Sequence, residues 1–551
     1  MSIKTTTIYD LKVCSIKEPY GVDENPVFSW KMRSDVLGQK QSAYMIELKK
    51  ARCKNDEMVW NTGKVFSDES MFVSCGVPLE PMTAYDWTLT VWDKDDNALE
   101  SQSSRFVTGV IDQNWNNAKW LTVYDQTTEY KDITDYTIET SFILIKNETN
   151  FLIATGSHLH YYRFRFFVSG EALLLESYWY APDGDYRRCG EQINVSELLA
   201  ILPEEINTLE LQLRFCVSPD EIITYVDKQP VHQLKITSGM PYPLIGAPGF
   251  HFPGAFAGCY VGRMITRESS TGRILYDYDF QKENPFANTS VENGMLKGVA
   301  TGRLFPKCPS FAVRKEFELS QKPVEAILSV SGMGVFCSYL NGKRVANVIG
   351  GEETPYELTP GNTEGRIRRH YYTYDITDNL NVGVNTLSAI VTSGWWSDLV
   401  NICHGERNAV IAKLVIRYED GDEKILVTDE TWKADTEACP AGYCSIFSGE
   451  EYDASKPTKF MLCGYDDSKW SKASLVQYNG SITSGFKAPI YNRKDLEHAP
   501  IDIKIFNGIH NADDTHYGTV DIVRTYSADD TMPFSLNAGE TAVVDFGYNC
   551  A

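Results

Sequence analysis

The sequence predicts an all-β chain made of several β-sandwiches, and three observations support this. Segments of five to nine residues alternate or run apolar, as in SAYMIELKKA from Ser42 and YDWTLTVWDKD from Tyr85. Turn sequences such as DKDDN, PDGD and NAGE separate these segments. Helical periodicity is scarce, and INVSELLAILPEE is the best short helix candidate, with Asn194 or Ser196 near its cap.

The length of 551 residues predicts three to five domains. Turn positions and changes in pattern indicate four segments: 1–110, 120–295, 305–490 and 496–551. The last segment carries two or three strands, too few to bury a sandwich core alone. We therefore expect that the natural protein continues past Ala551, or that these strands complete another sheet.

The charge of the chain restricts its partners. A net charge of −22 argues against nucleic acid or an anionic membrane, because both would repel the protein. No apolar run approaches the roughly 18 residues of a membrane span. Neutral glycans and small uncharged ligands are compatible with this charge, and an aromatic content of 12% suits both strands and carbohydrate surfaces.

The 13 cysteines have no regular spacing, and an odd number disfavours a complete disulfide framework. We expect reduced, mostly buried thiols and a cytoplasmic location, in line with an N-terminus that lacks a signal-peptide core. Cys439 and Cys444 lack a second pair that would complete a zinc site, so no metal site is predicted.

No residue is predicted to be catalytic. Glu352 and Glu353 are adjacent in sequence, as are Glu450 and Glu451, and adjacent side chains of a strand point to opposite faces. Neither pair therefore forms the two facing carboxylates that hydrolysis of a glycosidic bond requires. Asp453 completes this set of acids. Exposed charge, together with a structural role for the GEEYDA stretch, explains their presence without catalysis.

Two short stretches are candidates for sugar binding. His158 and His160 share a face if they lie on one strand, and such a pair can ligate a metal or can simply be solvated. Trp179 and Tyr180 precede a turn in SYWYAPDGD, so a ring could stack on a sugar while turn carboxylates accept hydroxyl hydrogen bonds. An aromatic strand that enters a turn is the alternative. The predicted sugar-binding residues are His158, His160, Trp179, Asp183 and Asp185.

Ordered motifs in the third segment resemble the N-terminal β-sandwich of glycoside hydrolase family 78, the α-L-rhamnosidases. The matching stretches are SGMGVFCSYLNGKRV (Ser331–Val345), LTPG (Leu358–Gly361), YYTYDITDNL (Tyr371–Leu380), GVN (Gly383–Asn385), SGWW (Ser393–Trp396), GEEYDAS (Gly449–Ser455) and YDDSKWSKA (Tyr465–Ala473). Ser455 stands where the family has Arg. The first segment resembles the fibronectin-type-III-like opening of the same family, in FSW, QSAYMIEL, VWNTGKV, LEPMTAYDWTLTVWD and RFVTG.

The second segment resembles the lectin-like carbohydrate-binding module of family 67, which is inserted in some rhamnosidases. The frame runs from DYTIETSFIL at Asp135 to ILYDYDF at Ile274. Rhamnose-binding members tend to have Asp and Asn together with calcium at the turn that here reads Gly156, Ser157 and His158. This turn lacks the anionic ligand that calcium prefers, so no cofactor is predicted, with calcium in this module as the alternative.

The resemblance implies multi-domain β-sandwiches that are fibronectin-III-like, concanavalin-like and jelly-roll-like. AVVDFGYNCA at the end resembles the opening of a further β-domain, so the (α/α)6 catalytic barrel of the family would lie outside these 551 residues. The implied function is the accessory region of an α-L-rhamnosidase that hydrolyses terminal α-L-rhamnose with inversion. The implied partner is a rhamnose-containing oligosaccharide or glycoside, and a homo-oligomer is an open expectation. The alternative is a stand-alone glycan-binding or structural array of sandwiches without hydrolytic activity.

Overall fold

The computed structural model describes residues 6–52, 58–123, 132–157, 160–181, 184–287, 289–299, 302–349, 352–354, 365, 367–397, 405, 407–445, 449–487, 494–507, 521–527 and 534–548. In these parts nearly all regular structure is β-strand, which confirms the all-β prediction. None of the helices found there combines the length and hydrophobicity of a membrane-crossing segment. His158, Asp183 and the LTPG motif, Leu358–Gly361, lie outside the described residues.

Contacts divide the chain into two units. Unit 1 comprises residues 1–128 and 307–491, and unit 2 comprises residues 129–306 and 492–551. The four segment boundaries expected from the sequence stay a prediction, because the contacts define these two units.

The first part of unit 1 is a sandwich built from residues 6–108. Its described strands are β1 (Thr6–Val13), β2 (Tyr20–Val22), β3 (Val27–Ser34), β4 (Gln41–Lys50), β5 (Met58–Asn61), β6 (Val73–Ser74), β7 (Ala84–Asp93) and β8 (Gln102–Thr108). One sheet has the order β1-β3-β6 and the other the order β2-β8-β7-β4-β5. Alternation along the strands sends every second side chain inward, so Phe28, Trp30 and Trp87 lie buried between the sheets.

The described strands of residues 129–306 form two larger sheets of unit 2. After β9 (Trp120–Thr122), which belongs to unit 1, the chain forms β10 (Tyr136–Leu144), β11 (Glu148–Ser157), β12 (His160–Ser169), β13 (Ala172–Tyr180), β14 (Tyr186–Asn194), β15 (Leu211–Val217), β16 (Glu221–Val226), β17 (Gln229–Lys235), β18 (Gly249–Phe252), β19 (Gly258–Val261), β20 (Met264–Glu268), β21 (Ile274–Tyr278), β22 (Ser290–Glu292), β23 (Met295–Val299) and β24 (Gly302–Leu304). One sheet runs β17-β16-β15-β10-β19-β23-β22, with β20 also paired with β10 and β21 paired with β20. The other runs β14-β13-β12-β11-β18-β24.

A single short α-helix, α1 (Val195–Leu199), is found in the described part of the chain. The Asn194 side chain caps it by accepting a hydrogen bond from the Glu197 N–H at 3.1 Å. The helix ends where Ala200 adopts a left-handed conformation, so the VSELL part of the predicted helix is confirmed, with Asn194 as its cap. Described 3₁₀ turns lie at Ile111–Gln113, Pro203–Glu205, Thr377–Asn379, Thr458–Met461 and Lys494–Leu496.

The second part of unit 1 is a sandwich that residues 307–491 form together with β9. Its described strands are β25 (Phe311–Leu319), β26 (Glu325–Met333), β27 (Val335–Leu340), β28 (Lys343–Arg344), β29 (Asn347–Ile349), β30 (Glu352–Thr354), β31 (Arg368–Asp375), β32 (Gly383–Thr392), β33 (Ala409–Arg417), β34 (Glu423–Val427), β35 (Lys433–Asp435), β36 (Ala441–Ser445), β37 (Gly449–Tyr452), β38 (Ser471–Lys472), β39 (Ser474–Val476) and β40 (Ser481–Ser484). The main sheets have the orders β28-β27-β32-β25-β35-β38 and β39-β9-β33-β26-β31-β40, with β34 beside β33. The short pairs β29-β30 and β36-β37 complete it.

The two sandwiches of unit 1 share a buried junction. Met82 and Val107 of the first pack with Ile411 of the second in one apolar cluster. Tyr371 lies fully buried there, and its hydroxyl accepts a hydrogen bond from the Val110 N–H at 2.8 Å. The sandwiches are therefore joined by packing and by specific hydrogen bonds.

The last described strands are β41 (Asp502–Asn507), β42 (Ile522–Ser527) and β43 (Glu540–Asp545), in the order β42-β41-β43. Three strands agree with the two or three expected from the sequence. Ile503 and Ile505 of the central strand are buried, whereas Val543 and Val544 on an edge strand are exposed.

Candidate functional site

The six-stranded sheet of unit 2 has one apolar face and one face of aromatic and charged side chains. On β12, Tyr162, Phe164 and Phe166 point into the apolar core. Their alternating neighbours point to the other side, and strand pairing places the same kind of residue beside them on β11, β13, β14, β18 and β24. We call this surface the tyrosine–arginine face; its members are Glu148, Asn150, Tyr161, Arg163, Arg165, Glu176, Tyr178, Tyr180, Tyr186, Arg188, His251 and Arg303.

An ion-pair network occupies one half of this face. Arg165 bridges Glu148 at 2.6 Å and Glu176 at 3.3 Å, and Arg188 approaches Glu176 at 3.3 Å. The Tyr178 hydroxyl also donates to Glu176, at 2.6 Å. Both carboxylates are buried but remain satisfied, because several donors surround each of them.

Stacked rings occupy the other half. Tyr161 and Tyr180 are almost parallel, with ring centroids 5.0 Å apart, and the hydroxyls of Tyr161 and Tyr186 are hydrogen-bonded at 2.7 Å. The Arg303 guanidinium lies 5.3 Å from the Tyr180 ring centre and donates to the Tyr161 hydroxyl at 3.3 Å. Arg163 lies 4.7 Å from the Tyr186 ring centre, so cation–π contacts fix both arginines over aromatic rings.

His251 lies among these arginines. Its ring stacks on Tyr186 at 6.3 Å, and its Nδ1 is shielded from solvent without a hydrogen-bond partner among the described residues. Burial and the positive charges of Arg163 and Arg303 lower the pKa of His251 to about 3. The imidazole is therefore neutral at physiological pH and adds no positive charge to this face.

The predicted sugar-binding residues that the structure describes lie at or just beyond the ends of strands β12 and β13. Trp179 is partly buried against the apolar core, with the Arg187 guanidinium 5.1 Å from its ring centre. His160 is exposed at the start of β12, and Asp185 is exposed in the turn between β13 and β14. A sugar-binding role for these residues stays a prediction, as it does for His158 and Asp183.

Sequence reasoning missed most of the tyrosine–arginine face. The HYYRFRFF stretch carries a usable signal, because Tyr161, Arg163 and Arg165 alternate with core aromatic residues. His251 and Arg303 could not be found this way, because only the strand order β11-β18-β24 brings them to the same surface.

Two matches to protein families cover separate stretches of unit 1. Residues 321–494 match the alpha-L-rhamnosidase N-terminal domain family. Residues 8–112 match the Rha78A-like, N-terminal immunoglobulin domain family. Both stretches are those in which the sequence resembles glycoside hydrolase family 78.

The chain belongs to the N-terminal region of the family 78 α-L-rhamnosidases.

Similar proteins cover more of this rhamnosidase region. An alpha-L-rhamnosidase of Streptomyces avermitilis is 27% identical over 494 residues, which are 83% of this chain and 43% of that protein. One from an Alteromonas species is 29% identical over 285 residues, 47% of this chain and 28% of that protein. The chain thus spans less than half the length of these relatives.

A solved structure supports the fold. The crystal structure of the Streptomyces avermitilis alpha-L-rhamnosidase complexed with L-rhamnose aligns with a TM-score of 0.52 at 20% identity, over 98% of this chain and 55% of that one. At this identity the likeness concerns the fold. The fibronectin-type-III-like and family 67 assignments of the first two segments stay predictions, since the first segment matches an immunoglobulin domain family.

The family motifs of the rhamnosidase N-terminal domain hold turns together. Asn341 of LNGK has a positive φ of 51° and donates through its side chain to the Asn385 side chain at 2.9 Å. The side-chain oxygen of Asn341, Oδ1, in turn accepts from the Thr386 N–H at 2.9 Å. The two motifs LNGK and GVN therefore fix the β27–β28 turn against β32.

The carboxylates of GEEYDAS are exposed on β37 or follow it. Glu451 pairs with Lys307 at 2.8 Å. Asp453 accepts hydrogen bonds from the Ser455 hydroxyl at 2.6 Å and the Ser455 N–H at 3.0 Å, and these lower the pKa of the Asp453 carboxyl. Asp453 is thus held as an anion in a turn, which is the opposite of what a proton-donating acid needs.

A cavity of about 320 Å³ lies where the two sandwiches of unit 1 meet. Its charged groups pair with one another: Lys50 with Glu80 at 2.7 Å, and Arg417 with Glu325 at 2.5 Å and Glu423 at 3.1 Å. Desolvation raises the pKa of Glu325, but both of its oxygens are engaged, one by the Ala84 N–H at 2.9 Å and one by Arg417. This cavity is best explained as part of the domain junction.

The stretch Gly156, Ser157 and His158 contains no carboxylate side chain, and calcium sites are built mainly from carboxylate and carbonyl oxygens, so the expectation of no calcium there stays a prediction. Within the described ranges, moreover, no three His, Cys, Asp or Glu side chains are grouped as metal ligands.

Proposed function

We propose that this chain is the accessory, non-catalytic region of an α-L-rhamnosidase whose full-length form hydrolyses terminal α-L-rhamnose from glycans or glycosides with inversion. The observation that carries the proposal is the match of two stretches, in order, to N-terminal domain families of these enzymes. Rhamnosidase relatives over 83% and 47% of the chain support it. The region would support and orient the catalytic part of the enzyme.

The described carboxylates support a non-catalytic role. An inverting glycosidase needs an acid and a base roughly 6.5–9.5 Å apart, with room for a water molecule. Glu451 is paired with Lys307, and Glu325 is engaged inside the domain junction. These contacts give Glu451 and Glu325 a role in the fold.

A second candidate function is glycan binding without hydrolysis, and the tyrosine–arginine face favours it. Half-buried tyrosine rings beside hydrogen-bonding charged groups provide the surface on which sugar C–H faces and hydroxyls are bound. The two functions are compatible, because an accessory region can hold substrate for a neighbouring active site. A cytoplasmic location, suggested by the many thiols, stays part of the proposal.

Hydrolysis of p-nitrophenyl α-L-rhamnopyranoside tests the proposal. The 551-residue chain should release no p-nitrophenol above background, while the protein from the complete native reading frame should release it. Proton NMR of the first product should show β-L-rhamnose, because inversion changes the anomer.

Two outcomes would contradict the proposal. Release by the 551-residue chain, abolished by Glu451→Gln or Glu325→Gln, would place catalysis in this region. A complete reading frame that releases no rhamnose from any rhamnoside would instead favour the glycan-binding function.

A further inference from the structure

The tyrosine–arginine face carries excess positive charge on an acidic protein. Four guanidinium groups, of Arg163, Arg165, Arg188 and Arg303, share it with only two carboxylates, of Glu148 and Glu176. The face thus has two more cationic than anionic side chains, whereas the whole chain has a net charge of −22. A local positive surface on such a chain attracts anions selectively.

The two carboxylates are occupied by only part of the arginines. Arg165 and Arg188 pair with Glu176, and Arg165 also pairs with Glu148 at 2.6 Å. Arg163 pairs with Glu148 at 3.6 Å and also donates to the Asn150 side chain at 2.6 Å. Three of the four arginines therefore have a carboxylate partner.

Arg303 has no carboxylate within ion-pair distance among the residues that the structure describes. Its contacts are the Tyr161 hydroxyl and the Tyr180 ring. A partly buried guanidinium without an anion is costly unless polar partners solvate it, and two aromatic groups do this only in part. An incoming anion would replace the missing counter-ion.

The surroundings of Arg303 suit a sugar. Tyr178, Tyr180 and Tyr186 are half-buried, so parts of their rings remain accessible for stacking. The orientation of Tyr180 is fixed, because its ring lies at 6° to the buried Tyr161 ring. His251 is neutral and therefore adds no positive charge beside Arg163 and Arg303.

We propose that the tyrosine–arginine face binds an acidic sugar residue, a uronate or a sulfate-bearing sugar, through Arg303 and Arg163, with the accessible parts of the Tyr178, Tyr180 and Tyr186 rings against the sugar. Planar guanidinium groups match carboxylate and sulfate oxygens in pairs, and tyrosine rings match sugar C–H faces. The inference rests on the proposed function, in that the acidic sugar would belong to the rhamnose-containing glycan held for hydrolysis.

Isothermal titration calorimetry of the 551-residue chain with D-glucuronate, D-galactose 6-sulfate, D-glucose and L-rhamnose tests the proposal. We expect binding of one or both acidic sugars, with affinity that falls as salt is added, and much weaker binding of D-glucose at this face. The two acidic sugars distinguish a carboxylate from a sulfate ligand. Arg303→Gln should weaken binding about tenfold or more, as expected for loss of one charge-assisted contact.

Matched variants separate binding from folding. Arg303→Lys should recover part of the affinity, because it restores the charge without the planar fork. Arg214→Gln, on the other sheet of unit 2 and paired with Glu139, should bind like the unchanged chain. Hydrogen exchange should show that acidic sugar protects the peptides 161–165 and 176–180 in the unchanged chain and not in Arg303→Gln.

The proposal is overturned if neither acidic sugar binds, if D-glucose binds as tightly, or if Arg214→Gln weakens binding as much as Arg303→Gln. None of these results bears on rhamnoside hydrolysis, which the assay with p-nitrophenyl rhamnoside measures separately. A full-length protein that hydrolyses rhamnosides but binds no acidic sugar would keep the proposed function and refute this inference.

Discussion

His251 shows how one buried residue makes the stability of this protein depend on pH. Its pKa is lowered to about 3 in the folded chain, first by burial and then by Arg163 and Arg303, against about 6.5 when unfolded. Below pH 6.5 His251 therefore binds a proton in the unfolded chain, whereas in the folded chain it stays neutral until the pH approaches 3. The contribution of neutral His251 to stability is fully present above pH 6.5 and is lost as the pH falls toward 3.

We expect His251→Gln to remove this loss. Between pH 7 and pH 4, the unchanged chain should lose up to about 3 kcal/mol more stability than the variant, at ~1.4 kcal/mol per pH unit. Thermal and urea unfolding at both pH values measure the difference. His160→Gln, at an exposed position in the same sheet, is the control and should follow the unchanged chain. Equal slopes for the unchanged chain and His251→Gln would contradict the prediction.

The register of single residues sets how much of the site could be predicted. Trp179 and Tyr180 are neighbours on β13, and successive strand residues point to opposite faces. The sequence identifies both as aromatic residues beside a turn, but Trp179 faces the core and Tyr180 the tyrosine–arginine face. Which face of β13 is buried depends on where the opposite sheet packs, and the sequence around Trp179 and Tyr180 does not show this.

At the scale of elements, strands were predictable where polar and apolar residues alternate. SAYMIELKKA became β4 and YDWTLTVWDKD became β7, with ends within one or two residues. β9 was beyond such reasoning, because it has three residues and pairs with β33 and β39, which lie almost 300 residues or more further along the chain. Short strands of this kind are fixed by tertiary pairing, and their own sequence carries little signal.

The geometry of the β26–β27 connection explains why the SGMGVF motif has a glycine at position 334. Gly334 is the single residue between the two strands and has a φ of 107°. A Cβ at this position would come within 2.1 Å of the Thr392 carbonyl oxygen, and the carbonyl of Gly334 itself accepts from Arg369 at 3.2 Å. Neither the backbone nor the neighbouring β32 leaves room for a side chain.

We therefore expect Gly334→Ala to destabilise unit 1 by more than ~2 kcal/mol, from the positive φ together with the clash. Gly383→Ala is the matched control, because Gly383 has a φ of 91° but open space around it. Gly383→Ala should lose only the ~1–2 kcal/mol of stability that a positive φ costs a residue with a side chain. Urea unfolding of both variants decides the matter, and equal losses would show that the clash with Thr392 is relieved by a small backbone shift.

At the scale of the whole molecule, unit 1 is assembled from chain segments that unit 2 separates in sequence. The hydrogen bond from Ala84 to Glu325 spans 241 residues, and that from Val110 to Tyr371 spans 261. Family motifs indicate that both sandwiches are present, but they carry no information on which polar groups meet across the junction. Glu325 could not be distinguished from an exposed glutamate by its sequence neighbours.

Glu325 links the two sandwiches of unit 1 at this junction. It is 5% exposed, it accepts the Ala84 N–H, and it pairs with Arg417, which also donates to the Met82 carbonyl at 2.7 Å. Glu325→Ala would leave a buried N–H without an acceptor and a guanidinium without its main counter-ion. We expect a loss of ~2–4 kcal/mol, together with faster hydrogen exchange of the peptide 82–89.

Two further variants separate the hydrogen bond from the charge. Glu325→Gln keeps an acceptor for Ala84 and should stay within ~1 kcal/mol at pH 7, because burial raises the pKa of Glu325 and thus makes its ionised form costly. As the pH falls through that raised pKa toward 4.5, the unchanged chain should gain stability relative to Glu325→Gln. Glu423→Ala removes the more exposed partner of Arg417 and should cost under ~1 kcal/mol. If Glu325→Ala proved as mild as Glu423→Ala, the apolar cluster around Met82 and Ile411 would be sufficient to hold the two sandwiches together.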